Sequence, residues 1–189
     1  MARFLERSAG LWLSQRSVHH FEETTDESGT SNLLIRPFGP DEPAVDRVLE
    51  ALGLPAGASS GGARFQWQSN LKDVAPDDAQ AAVLVDVPDP ADPTQGILYR
   101  DVGYLEAQPV ESAYRMSPDG VMSLFTDYDR NHGVERCWFL TDDMRVRVGS
   151  AQVMGGVNLI SYSTEIRCHG ADDFEAVRAE AEALLASLP

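Results

Sequence analysis

Two arginines set two residues apart, Arg145 and Arg147, are the residues of this sequence best suited to hold an anion. They lie in Gly133–Ala151, G-V-E-R-C-W-F-L-T-D-D-M-R-V-R-V-G-S-A, where two apolar-rich runs flank Thr141, Asp142 and Asp143. That layout predicts two strands joined by a short hairpin connection. Strand side chains alternate between faces, so Glu135, Cys137 and Phe139 share one side of the first strand. Arg145 and Arg147 share one side of the second, with Met144, Val146 and Val148 on the other. If the valines face a packed layer, the arginines point into an enclosure or into water. A guanidinium binds a carboxylate in a planar fork, so the pair reads as a carboxylate-binding device, with a solvated strand face as the alternative.

Other chemistry finds less support. His19 and His20 are neighbours, and adjacent strand residues point to opposite faces, so they cannot chelate one ion side by side. His132 falls in an expected turn and His169 beyond the last expected strand, and no metal site is expected. Cys137 and Cys168 show no motif spacing and imply no disulfide framework. The sequence has no G-x-S-x-G, no H-E-x-x-H and no phosphate-cradling glycine loop, which leaves hydrolase and nucleotide readings without a basis.

The elements that must position the arginines are mostly short strands. Trp12, Ser14, Arg16, Val18 and His20 fall on one side of a strand that starts after Gly10. Gly39 to Pro55 carries a helix: Asp41 can cap it, Pro43 suits its first turn, and Val45, Val48, Leu49 and Leu52 form one stripe, with Gly53 and Pro55 ending it. Beyond Gly61 and Gly62, Phe65 and Trp67 alternate with Arg64, Gln66 and Gln68. Further strands are expected over Ala81–Val87, Gly96–Ala107, Val110–Met116, Val121–Tyr128, Val134–Leu140, Met144–Val153 and Val157–Arg167. About ten strands with turn residues roughly every 8–12 positions indicate a closed antiparallel barrel or a sandwich. A C-terminal helix follows, capped by Asp172 and Glu175, with Phe174, Val177, Ala181 and Leu184 along one face.

At 189 residues, without an internal repeat or a long linker, the chain reads as one domain over 1–189. Thirty acidic against 15 basic residues leave a net charge of −15, which argues against nucleic acid and against an anionic membrane surface as partners. The start, M-A-R-F-L-E-R-S, lacks the apolar run of a signal peptide, and no stretch of about 18 apolar residues occurs. The expected location is the cytoplasm.

Gly10-x-Trp12 opening the first strand, with Arg167 ending the last, is similar to the lipocalin arrangement in which a floor tryptophan packs on a late arginine. More specifically, the chain resembles the S/U-type phycobiliprotein chromophore lyases, a lipocalin-like family. The resemblance is carried by F-L-E-R-S-A-G-L-W-L-S-Q-R-S-V-H (4–19), F-Q-W (65–67), G-Y-L-E (103–106), T-D-Y-D (126–129), V-E-R-C-W-F (134–139), M-R-V-R (144–147) and S-T-E-I-R (163–167). These occur in family order from Phe4 to Arg167. The chain departs from the family where Val148 and Gly149 follow Arg147 in place of a common Thr-Ser, and where Ser17 replaces a usual threonine. Leu11 and Leu13 also stand where polar residues are frequent.

The resemblance implies a ten-stranded antiparallel β-barrel of the lipocalin or fatty-acid-binding kind, with a helix between the second and third strands and a C-terminal helix outside. It implies a lyase that holds an open-chain tetrapyrrole (a bilin such as phycocyanobilin or phycoerythrobilin) as substrate, with no resident cofactor. The bilin is delivered to a cysteine of an apo-phycobiliprotein subunit, where a thioether forms. By the resemblance Arg145 and Arg147 bind the bilin, with a structural ion-pair network as the alternative. By the same resemblance Glu135 and Glu165 sit near the pyrrole nitrogens or the reacting end as the catalytic candidates, with service as the structural partner of an arginine as the alternative for each. Trp67 and Tyr128 are candidates to stack on the tetrapyrrole, with plain core packing as the alternative. Arg16 reads as structural, closing the barrel floor near Trp12. The resemblance is compatible with a homodimer or with a heterodimer with a related lyase. A non-catalytic lipocalin-like carrier of an amphipathic carboxylate is the alternative function.

Overall fold

The computed structural model describes residues 1–21, 27–68, 81–101, 110–128, 131–153 and 156–169, with Ala176, Ala179 and Ala183. In chain order the elements are α1 (Ala2–Arg7), β1 (Gly10–His20), β2 (Glu27–Phe38), α2 (Pro43–Leu52), β3 (Gly61–Gln68), β4 (Ala81–Pro88), β5 (Gln95–Arg100), β6 (Val110–Met116), β7 (Met122–Tyr128), β8 (Asn131–Phe139), β9 (Met144–Val153) and β10 (Gly156–Cys168). Every strand pairs antiparallel with its sequence neighbour, and β1 also pairs with β10, so the sheet closes into a ten-stranded barrel. The choice between barrel and sandwich is thereby resolved in favour of the barrel. Closure leaves no unpaired strand edge, the usual hazard of a β protein.

The floor of the barrel is built by the first twelve residues. Leu5 of α1 and Trp12 of β1 are buried with Leu33, Ile35 and Ala63. The Trp12 indole donates its Nε1 hydrogen to the Ser8 carbonyl at 2.9 Å. Phe139 meets Phe4 edge-on at 5.4 Å between ring centroids and Trp12 at 6.2 Å. The Arg167 guanidinium lies 4.2 Å from the centre of the Trp12 ring, the packing expected from Gly10-x-Trp12 and a late arginine. Arg167 also donates to the carbonyls of Ala9, Arg7 and Asp142 and pairs with Asp143 at 3.1 Å. One side chain thus ties α1, β1 and the β8–β9 hairpin together.

The helix expected between the second and third strands is α2, and its stripe of Val45, Val48 and Leu49 packs on Val83, Val85 and Tyr99. Its start differs from expectation: Glu42, not Asp41, is the N-cap, and it makes no side-chain capping bond. The cause is Pro43, because a residue before proline is pushed out of the helical region and into extended backbone; Glu42 sits at φ −69°, ψ 129°. Gly53 ends the helix with φ 65°, the left-handed conformation glycine adopts without strain. Strand β8 begins at Asn131 rather than Val134, so His132, expected in a turn, lies in the sheet. Its Nδ1 is 2.5 Å from Asp127 Oδ1, its register partner on β7. The C-terminal helix expected from Asp172 falls outside the described residues, except that Ala176, Ala179 and Ala183 are helical and exposed. The G-Y-L-E stretch (103–106) also falls outside them.

Gly62 marks a close backbone approach. A β-carbon there would press on the Leu84 carbonyl oxygen and come within 2.8 Å of the Phe38 ring. Gly62→Ala is therefore expected to destabilise the barrel by about 1–3 kcal/mol, the cost of overpacking a fitted site. The check is the urea midpoint of the variant against the unmodified chain, and an unchanged midpoint would show that β3 and β4 can separate at no cost.

Candidate active site

The inner face of the barrel follows from strand alternation and register. Even positions of β1 and odd positions of β8, β9 and β10 point inward, and pairing stacks them in tiers. Above the Trp12–Arg167 floor pair, the first tier aligns Ser14, Glu165, Arg145 and Phe139. The next aligns Arg16, Ser163, Arg147 and Cys137, and above it stand Val18, Ser161, Gly149 and Glu135. The hairpin residues with the most chemistry therefore share one interior wall, as the alternation of Gly133–Ala151 predicts. They bound a cavity of about 300 Å³ whose other side is largely apolar, with Leu84, Leu98, Val110 and Leu124. Its size is at the lower end of the range for small-molecule sites.

Glu165 is fully buried, and its carboxylate is shared by two guanidinium groups. One oxygen accepts from Arg145 Nε; the other lies 3.4 Å from Arg147 and accepts from the Ser14 hydroxyl at 3.4 Å. Glu165 is not on the cavity surface. Arg145 is buried too, over Trp12 with its guanidinium 4.7 Å from the ring centre. A guanidinium held between a carboxylate and an indole has little left to offer a ligand beyond its edge on the cavity wall. Arg147 differs: its side chain is 38% exposed and opens into the cavity. Both guanidinium groups thus gather on one carboxylate, and Arg147 carries this cluster to the cavity surface.

Glu135 is exposed to that cavity. Its register partner is Gly149, where a β-carbon would stand 3.6 Å from Glu135 Cγ and 2.8 Å from the Ser161 hydroxyl oxygen. Glycine at 149 spares the Ser161 hydroxyl that clash and leaves Glu135 at an ordinary van der Waals distance. Cys137, one tier below, is buried, and burial pushes its thiol up to about 11. Arg145 and Arg147 pull in the opposite direction, while Glu165 and Glu135 push the same way, and burial prevails. The thiol is therefore protonated at neutral pH. Thiolate is the reactive form, so at pH 8 iodoacetamide should modify Cys137 in the folded chain about a hundredfold more slowly than in urea-denatured chain. Site-resolved mass spectrometry reads the ratio, and equal rates would mean the thiol is activated.

Trp67 of β3 lines the opposite wall, with the Arg100 guanidinium of β5 5.4 Å from its ring centre. Tyr128 ends β7, and its side chain lies outside the described residues. Arg16 does not close the floor, contrary to expectation. Four residues of strand carry it about 13 Å beyond Trp12 at roughly 3.3 Å each, and the place beside Trp12 is taken by Arg145 and Arg167. Arg16 instead lines the cavity, one strand away from Arg147 across Ser163. The alternation of Trp12, Ser14 and Arg16 already carried that signal. Arg100, two residues beyond the buried Leu98, carried it as well. Among the described residues no three His, Cys, Asp or Glu side chains converge.

A barrel with this interior has close relatives. The family described as CpeS-like protein matches residues 1–168. The chain belongs to the CpeS-like family. It is similar to a protein named chromophore lyase CpcS/CpeS from Synechococcus sp. (strain WH8020), at 44% identity over 189 residues, covering 100% of this chain and 94% of that one. It is 31% identical over 166 residues to a phycocyanobilin lyase subunit CpcS from Picosynechococcus sp., covering 87% and 85%. Among solved structures, an S-type phycobiliprotein lyase from Guillardia theta superposes with a TM-score of 0.71 at 28% identity, covering 89% of this chain and 92% of that one. The resemblance drawn from the motifs thus holds, and with the family comes the enzyme class, a lyase. No helix among the described residues is long and apolar enough to cross a membrane.

Proposed function

We propose that this chain binds an open-chain tetrapyrrole in the barrel cavity and attaches it to a cysteine of a phycobiliprotein subunit through a thioether bond, in the cytosol. The observation that carries this reading is the charge pattern of the cavity wall. Arg16 and Arg147 stand on either side of Ser163, both on the cavity surface, with an accessible carboxylate, Glu135, one tier above. A bilin carries two propionates and a conjugated run of four pyrrole rings that takes up a proton. Arg147 and Arg16 suit the propionates by charge-assisted hydrogen bonds, and the apolar far wall suits the rings.

In the step itself the acceptor's S–H adds across the exocyclic carbon–carbon double bond of an end ring. Sulfur bonds to the outer carbon, the proton ends on the tetrapyrrole, and nothing is oxidised or expelled. Glu135 is the group in reach to relay that proton. Glu165 serves beneath the site by holding Arg145 and Arg147 in place. Cys137, kept protonated, is a poor competitor for the same double bond, which favours a thiol supplied by the acceptor. A Cys137→Ser, Cys168→Ser double variant should therefore still transfer chromophore.

Purified chain mixed with phycocyanobilin, then with apo-subunit, tests the reading: a covalent adduct on the subunit, seen by mass, is expected. A colour change on binding with no adduct in excess of the uncatalysed reaction would make the chain a carrier instead.

A further inference from the structure

We propose that Arg100 forms a second anchoring point of the cavity, where its guanidinium, held on Trp67, donates to the carbonyl oxygen of a terminal lactam ring of the tetrapyrrole; this rests on the function proposed above. In the closed strand order β5 stands five strands from β10 and β3 five strands from β8. Arg100 and Trp67 are thus placed across the barrel from the Ser163–Glu165 and Glu135–Cys137 walls, and both line the same cavity.

The surroundings suit a flat, uncharged ring with a polar edge. Arg100 is flanked in register by Leu84 and Val110, both on the cavity surface. Trp67 packs on the floor cluster of Leu33 and Ile35 and presents its indole to the guanidinium at 5.4 Å, within the range of a cation–π contact. A guanidinium stacked on an aromatic face keeps its N–H groups around its perimeter, where they donate in the plane. In an open-chain tetrapyrrole the propionates are on the two central rings and the lactam carbonyls on the two end rings. A ligand whose central carboxylates are held near Arg147 and Arg16 projects an end ring away from them, toward the wall that carries Arg100. Trp67 is a positioning residue on this reading, and Arg100 the binding residue.

Phycocyanobilin titrated into the unmodified chain, Arg100→Met, Arg100→Lys, Trp67→Leu and the Arg100→Met, Trp67→Leu double variant tests the assignment, with circular dichroism confirming the fold of each. Arg100→Met should weaken binding about tenfold and move the long-wavelength band of the bound bilin. Arg100→Lys, which keeps the charge and stem but not the fork, should recover only part of the affinity. In the double variant the two losses should fall well short of multiplying, because Trp67 acts through Arg100. A folded Arg100→Met or Arg100→Lys variant with unchanged affinity and band would overturn the assignment while leaving the proposed function standing. An unmodified chain that fails to bind phycocyanobilin would overturn both.

Discussion

Glu165→Ala is expected to lower the unfolding free energy by about 3–5 kcal/mol, the cost of stranding a buried partner charge. The partner is Arg145, which is 3% exposed and whose guanidinium has the Glu165 carboxylate on one side and the Trp12 ring on the other. Arg147 suffers less, because its half-open side chain can turn to water. The loss should be present without bilin or acceptor, as a lower urea midpoint with an unchanged slope. Replacing both charges at once, Arg145→Met with Glu165→Leu, should recover most of it, since a well-packed apolar pair avoids the desolvation cost altogether. If Glu165→Ala unfolds at the same urea concentration as the unmodified chain, the buried pair does not hold the wall and Glu165 is free for another role.

The second large effect separates affinity from chemistry. A propionate on Arg147 gains a charge-assisted hydrogen bond of about 1.5–3 kcal/mol, and 1.4 kcal/mol is a decade of affinity. Arg147→Ala should therefore weaken bilin binding roughly tenfold to a hundredfold, nearer tenfold because water already reaches the side chain. Glu135→Gln is nearly isosteric and cannot relay a proton. It should keep most of the affinity and slow covalent attachment by about a hundredfold, the lower range for general acid–base catalysis. Titration followed by single-turnover transfer to apo-subunit reads the two quantities separately. Unchanged affinity in both Arg147→Ala and Arg16→Ala would remove the propionate clamp, and an unchanged transfer rate in Glu135→Gln would move the proton elsewhere.

The hairpin was legible in the sequence because a strand's period of two is strict. Once Glu135, Cys137 and Phe139 share a side, pairing across Thr141–Asp143 sets Arg145 and Arg147 beside them. The division of labour between the two arginines was not legible. It depends on Glu165, twenty residues on from Arg145, arriving opposite it on β10. No local pattern encodes that register. For Arg16 the alternation was correct, but a floor role ignored the four residues of rise that separate it from Trp12. Asp41 failed as a cap for a local reason, the backbone demand of Pro43 on the residue before it, and that reason was visible in the sequence. Arg100 and Trp67 meet across β4, which stands between their strands, so neither announces the other.

The sealed floor has a consequence for traffic. With Leu5, Trp12, Phe139 and Arg167 filling one end, nothing the size of a tetrapyrrole passes through the barrel from end to end. On the function proposed above, a tetrapyrrole taken into the cavity leaves by the end at which it entered, and the acceptor that collects it comes to that same end. The barrel works as a cup rather than a pipe, and a cup is emptied only by something that reaches over its lip.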